Sequence, residues 1–246
     1  MLSVLLLLAP ALMATAPSTL GSDARFEYRA YSFHGGTYHF SVWLPPGYES
    51  KRDWPAILSL HGADESGNDG KAPTKVGLGK ALTAHPEAWP FVVIFPQKPR
   101  DQEEWWEEEP FTIDVVSRAT HDFHFDARKL ALVGVSQGGY GVWMLGARYP
   151  TRWSCLVPVS SYGRPRTISA RVARLPVWAF HGARDNVVDP EESKQIVDAI
   201  RAEHKRLDLT IDARYTVYPT AGHDAWDQAF ADPELPRWIL AQAKRP

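Results

Sequence analysis

Over residues 26–33 and 37–44, aromatic and β-branched side chains alternate with polar ones on either side of His34-Gly35-Gly36. A period of two with a glycine pair between the runs predicts an antiparallel hairpin at a sheet edge. Past Pro45-Pro46-Gly47 the pattern changes to short, continuous apolar runs at 56–60, 91–95, 130–133, 155–159, 177–180 and 210–218. Runs without alternation are what strands buried on both faces require. Between them lie helix-like stretches at 74–84, 111–123, 137–149, 190–204 and 225–243, long enough to cross over a parallel sheet. Strand-helix alternation of this kind predicts α/β layering. One helix start is sharply marked: Asp189 can cap, Pro190 suits the first helical position, and Glu192 completes a D-x-x-E box.

With 246 residues, 44% of them hydrophobic, the chain can bury one large core, and no repeat or Gly/Ser linker divides it. One domain is therefore expected over residues 23–246. The 22 residues before it carry no charged side chain, begin with an apolar stretch and contain Ala14-Thr15-Ala16, a small-x-small cleavage pattern. A signal peptide over residues 1–22 and a secreted or periplasmic protein are the expectation. The apolar stretch is broken by Pro10 and too short for a comfortable membrane span. Basic and acidic side chains number 27 and 29, leaving a formal charge of -2 with no basic stripe, so a nucleic-acid partner is excluded. The single cysteine, Cys155, sits in an apolar run and reads as a small buried hydrophobe, not as half of a disulfide.

The candidate chemistry begins at Gly134-Val135-Ser136-Gln137-Gly138, between a buried-type strand and a helix ended by Pro150. Glycines flanking a strained tip let strand and helix pass closely and push the Ser136 hydroxyl out of the sheet top. The amide of Gln137 then faces the same space, where an oxyanion would form. A serine hydroxyl needs a base to take its proton and an acid to orient that base. Asp185, just past the run at 177–180, is the expected acid, and Asp189 is the runner-up already explained by capping. His223, in the loop after 215–218 and before the last helix, is the expected base. A second oxyanion donor is expected in the loop after the third strand, Leu60-His61-Gly62-Ala63, from the amide of Ala63, with His61 bracing that loop.

The chain order Ser136, Asp185, His223, together with Leu44-Pro45-Pro46-Gly47-Tyr48, Leu60-His61-Gly62-Ala63, Phe95-Pro96-Gln97, Gly134 to Gly141, Ala179 to Asp185 and Ala221 to Trp226, resembles secreted α/β-hydrolases. The relevant members are carboxylesterases related to poly(3-hydroxybutyrate) depolymerases and feruloyl esterases, and the phospholipase/carboxylesterase type often called predicted peptidases. The resemblance implies an α/β-hydrolase fold: a mostly parallel sheet of about eight strands, an N-terminal antiparallel hairpin, helices on both faces and no large cap. It implies ester hydrolysis through an acyl-enzyme without cofactor or metal, on a small-molecule or polymer ester. Short, bulky-aromatic (feruloyl-like) or polyester substrates are expected, because the segment 160–175, with Arg164, Arg166, Arg171 and Arg174, is too short to cover a long acyl chain. Trp105 and Trp106, set in an acidic loop after Gln97, are candidates for lining the acyl or sugar side of the pocket. A serine peptidase of the prolyl-oligopeptidase type is the alternative reading, and a non-catalytic binding protein on the same fold is a third. Oligomeric state is not readable from the chain.

Overall fold

The computed structural model of the protein describes residues 23–242; the expected signal segment lies outside the described residues. The first two strands, β1 (Arg25–Phe33) and β2 (Gly36–Leu44), form the predicted hairpin and pair antiparallel from Arg25↔Leu44 to Phe33↔Gly36. Six further strands follow: β3 (Trp54–Leu60), β4 (Val92–Gln97), β5 (Phe125–Val135), β6 (Leu156–Val159), β7 (Val177–Gly182) and β8 (Ala213–Tyr218). They make one eight-stranded sheet in the order β1-β2-β4-β3-β5-β6-β7-β8, with the hairpin at its edge, β2 antiparallel to β4, and every pairing from β4 to β8 parallel.

Because β3, β4, β6 and β7 are buried along their whole length, side chains on both faces must be covered. Leu58, Ile94, Leu132 and Ala179 point to one side, into a core shared with α2 (Glu109–Asp122), α3 (Gln137–Arg148), α4 (Pro165–Val172) and α5 (Pro190–Leu207). Their neighbours Ile57, Val93, Val133 and Phe180 point to the other, against α1 (Leu78–Ala84), α6 (Trp226–Ala231) and α7 (Glu234–Ala241). Cys155 belongs to this second core, and burial pushes its thiol up to about 12, as an inert packing residue requires.

Four elements differ from the sequence expectation. The helix expected at 74–84 is a 3-10 turn, Ala72–Lys75, followed by α1, the two parted where Val76 is extended and Gly77 takes a φ of 54°. The helix expected at 225–243 is two helices. Pro233 cannot continue α6, Asp232 before it is extended, and the Asp232 carboxylate accepts the Glu234 amide at 2.8 Å to start α7. The segment 160–175 is not only a loop but carries α4, whose Ile168 and Val172 are buried while its flanking and surface arginines, Arg164, Arg166, Arg171 and Arg174, are exposed. At α5 the Asp189 cap is present, but its carboxylate accepts the Glu191 amide at 2.9 Å and not that of Glu192.

A core side chain at the sheet centre should show the cost of this two-sided burial. Leu58→Ala leaves a void under α3 and is expected to cost about 2–5 kcal/mol, read as a lowered midpoint in thermal or urea unfolding. A midpoint unchanged from the parent would contradict the packing described.

Candidate active site

The parallel strands β3, β5, β7 and β8 all end on one side of the sheet, and the loops leaving those ends carry the chemistry-bearing residues. Between β5 and α3 the chain turns within one residue, Ser136, whose φ of 53° and ψ of −120° are unusual for a side-chain-bearing residue. The strain is held by neighbours. The Ser136 amide donates to Val159 O on β6 at 2.9 Å, and the first turn of α3 lies so close to β3 that a Cβ on Gly138 would stand 2.1 Å from Leu60 O. Only glycine permits that approach, and the approach is what lifts the serine hydroxyl clear of the sheet.

Ser136 Oγ lies 2.8 Å from His223 Nε2, and His223 Nδ1 lies 2.7 Å from Asp185 Oδ2. Asp185 is wholly buried, whereas His223 retains 20% of its side-chain exposure. Burial opposes ionisation of Asp185, but the Val188 and Val187 amides, which donate to Oδ1 at 3.0 and 2.9 Å, and the His223 ring outweigh it and hold the carboxyl below its ordinary value. The acid and histidine loops are tied to each other: Ala183 N–H donates to Tyr218 O and Arg184 N–H to Ala221 O, both at 2.9 Å. Gly182 makes this contact possible, since a Cβ there would sit 2.1 Å from Gly222 O. The edge of the Trp226 ring closes on His223 with centroids 5.3 Å apart.

After β3, Gly62 and Ala63 enter a short 3-10 turn, Ala63–Glu65. A Cβ on Gly62 would lie 3.5 Å from the Ser136 Cβ, so this loop borders the serine directly. The amides of Ala63 and Gln137 each open a helical turn, a position whose N–H has no partner within the turn. His61 braces the loop as expected. Burial pushes its pKa down to about 3, its neutral ring donates from Nδ1 to Gly62 O at 2.5 Å, and its Nε2 accepts the Lys98 amide at 3.2 Å. Two further braces were not legible as such. Glu65 accepts the Gly62 amide at 3.0 Å, and Gln97 donates to Glu65 O at 2.9 Å while accepting the Gly70 amide at 2.7 Å. The motif Phe95-Pro96-Gln97 marked Gln97 without disclosing what it holds.

The two tryptophans part company. Trp105 is fully buried; its indole N–H donates to His61 O at 3.0 Å and its ring meets the His61 imidazole edge-on. It offers no surface to a substrate, and its contribution is to pin the loop that carries Ala63. Trp106 is 49% exposed and lines a cavity of about 720 Å³ with Met144, Leu145, Arg148, Ile168 and Arg171. Ser136, Asp185 and His223 are not in that lining, so the structure does not bring Trp106 to the serine. Among the described residues no group of His, Cys, Asp and Glu is arranged to hold a metal, and no helix is long and apolar enough to cross a membrane.

Residues 32–243 match the Esterase family. The chain belongs to that family. Solved structures agree on the fold. A thermostable esterase superposes with a TM-score of 0.78 at 21% identity, over 89% of this chain and 63% of that one, so the chain spans somewhat less than two thirds of that protein. The feruloyl esterase module from Clostridium thermocellum gives 0.69 at 17% identity over 94% of each chain. An S-formylglutathione hydrolase from Agrobacterium tumefaciens gives 0.67 at 14%, over 90% and 96%. No curated protein matches the sequence.

In this esterase the acidic loop after Gln97 also contains a carboxyl pair. Glu108 is buried and beside Glu103, whose Oε2 is buried without a hydrogen-bond partner among the described residues. Burial, and then contact with Glu103, raise the Glu108 pKa from 4.5 to about 7. A proton on Glu108 can serve the lone Glu103 oxygen. The folded state then holds this proton more tightly than the unfolded chain, so the contribution is complete below pH 4.5 and is lost as pH rises through about 7. Glu108→Gln, which keeps a donor at every pH, should flatten that decline and at pH 8 raise the unfolding midpoint by roughly 2–4 °C, equivalent to about 1 kcal/mol. Parallel stability-pH curves for parent and variant would contradict the shared proton.

Proposed function

We propose that this esterase hydrolyses carboxylic esters through an acyl-enzyme in which Ser136 is the nucleophile, His223 the general base and then acid, and Asp185 the residue that orients His223. The observation that supports the reading best is the unbroken run of contacts from Ser136 Oγ to His223 Nε2 at 2.8 Å and from His223 Nδ1 to Asp185 Oδ2 at 2.7 Å. A hydroxyl in that position passes its proton to the ring as it attacks the ester carbonyl, and the ionised carboxylate stabilises the imidazolium that results. The ring then returns the proton to the departing alkoxide. Water, activated by the same ring, releases the acid and restores the serine.

The negative oxygen formed at each attack is stabilised by the amides of Ala63 and Gln137, reinforced by the N-terminal end of α3, which opens immediately after the serine. Fixed amides suit this role because they need no reorganisation as charge develops. Substrates are short-chain, bulky-aromatic or polyester esters. The exposed edge of His223 and the partial exposure of Ser136 favour an ester presented from an open surface. Export to the cell exterior or periplasm, as the apolar N-terminal segment suggests, would fit substrates of polymer size.

Ser136→Ala should lower kcat on p-nitrophenyl butyrate by at least about 10⁴-fold, and should abolish covalent labelling by an organophosphonate that modifies the parent stoichiometrically. Retained turnover or labelling would contradict the assignment. A panel of p-nitrophenyl butyrate, feruloyl and acetyl-xylan esters, hydroxybutyrate oligomers and a p-nitroanilide peptide should show turnover of esters and none of the anilide; preferential anilide cleavage would favour a peptidase.

A further inference from the structure

One buried imidazole beside the site has no part in the mechanism above. His181, near the end of β7, has no exposed side-chain surface. Its Nε2 lies 3.1 Å from Asp185 Oδ2, the same oxygen that His223 Nδ1 contacts at 2.7 Å, and 3.2 Å from Val188 O. Both neighbours of Nε2 are acceptors, so the ring carries its proton there and donates. On the far side Nδ1 lies 2.8 Å from Ser193 Oγ on α5, the donor this tautomer calls for; with its proton given to the ring, Ser193 Oγ accepts from Ser161 Oγ at 3.1 Å. Ser161 Oγ in turn accepts the Trp143 indole N–H from α3 at 3.0 Å. The titratable groups facing His181 are Asp185 and His223, with the hydroxyl of Ser193 from α5 at its other edge.

We propose that His181 is a positioning residue for the reaction, its Nε2–H fixing the Asp185 carboxylate so that one oxygen is held by two imidazoles and the other by two amides. This rests on the reading of Ser136, His223 and Asp185 given above. The geometry separates the role from simple packing. Without His181, Oδ2 would be held by His223 alone and could follow that ring as it moves, whereas a second donor from the rigid strand β7 keeps the oxygen in place while His223 gains and loses its proton. Burial pushes the His181 pKa below its ordinary value despite the adjacent carboxylate, which keeps the ring neutral: it supplies a hydrogen bond without a second positive charge competing for Asp185. The chain through Ser193 and Ser161 to Trp143 extends the anchoring to α5 and α3, the helix that follows the nucleophile.

The test compares the parent, Ser136→Ala, His181→Leu and Ser193→Ala on one ester over a full pH range, with active-site titration to count folded enzyme. Leucine fills the buried space and carries no donor. His181→Leu should lower kcat/KM per titrated site on the order of 10–100-fold. With the second donor to Asp185 gone, His223 holds its proton more firmly, and the acidic limb of the kcat/KM profile should move to higher pH by roughly half a unit to one unit. Ser193→Ala changes little volume and loosens only the outer end of the chain; it should fold where His181→Leu does not, and lose activity several-fold. Proton NMR of the parent should show two low-field imidazole N–H signals, one lost in His181→Leu and the other displaced. Parent-like profiles and signals in both variants would overturn the role of His181 while leaving Ser136 untouched. Full activity in Ser136→Ala would overturn the underlying triad, and the positioning role with it.

Discussion

A charged carboxylate with no solvent access is costly unless every lone-pair direction is met by a donor, and Asp185 is the place where this fold meets that cost. Two amides from its own loop, Val187 and Val188, take one oxygen, and the rings of His223 and His181 take the other. Each donor comes from a different constraint. The amides require the chain to double back immediately after β7. His181 requires β7 to be seated between β6 and β8, and His223 requires the β8 loop to lie on the β7 loop, which the missing Cβ of Gly182 allows. The order of strands at this end of the sheet is thus coupled to a single ionised group.

A second constraint, at Ser136, is steric instead of electrostatic. A side-chain-bearing residue at φ 53° persists because β3, β6 and α3 leave it no alternative, and the same compression brings the Gly62 turn against the serine side chain. The Ala63 loop is braced from several sides: by the neutral His61 ring, the indole of Trp105 and the amide of Gln97, by the Glu65 carboxylate on the Gly62 amide, and by the buried Lys98 ammonium, which donates to Ser66 Oγ at 2.8 Å and to Arg100 O at 2.6 Å.

What could be read from the chain divides along physical lines. Strands buried on both faces leave continuous apolar runs, so the sheet, its edge hairpin and the crossing helices were legible, as was the glycine-flanked turn at Ser136. Asp185 and His223 were findable because each falls in a loop just past a strand end, where side chains converge on the site. His181 was not, since one histidine in the run Val177–Gly182 carries the same pattern as any packed strand residue, and its meaning lies in what β6 and α5 bring to it. The adjacent Trp105 and Trp106 look equivalent in sequence; only the close approach to Gly141, where a Cβ would lie 2.7 Å from the Trp105 Cβ, decides which one is swallowed. Helix α4 is short and arginine-rich, with too few apolar positions to announce its buried face. The break in the last helix was signalled by Pro233 and could have been placed from it.

Strain and buried charge are gathered in one part of the molecule. Everything that fixes Ser136, the Gly62-Ala63 turn and the buried Asp185 lies at strand ends or in loops bonded to them. The exposed Trp106 and the Arg171 of α4 lie apart from this frame, at a cavity whose lining holds none of Ser136, Asp185 and His223. The feruloyl esterase module and the S-formylglutathione hydrolase superpose on this chain at only 17% and 14% identity, so the sheet and its strand-end loops persist where most side chains differ.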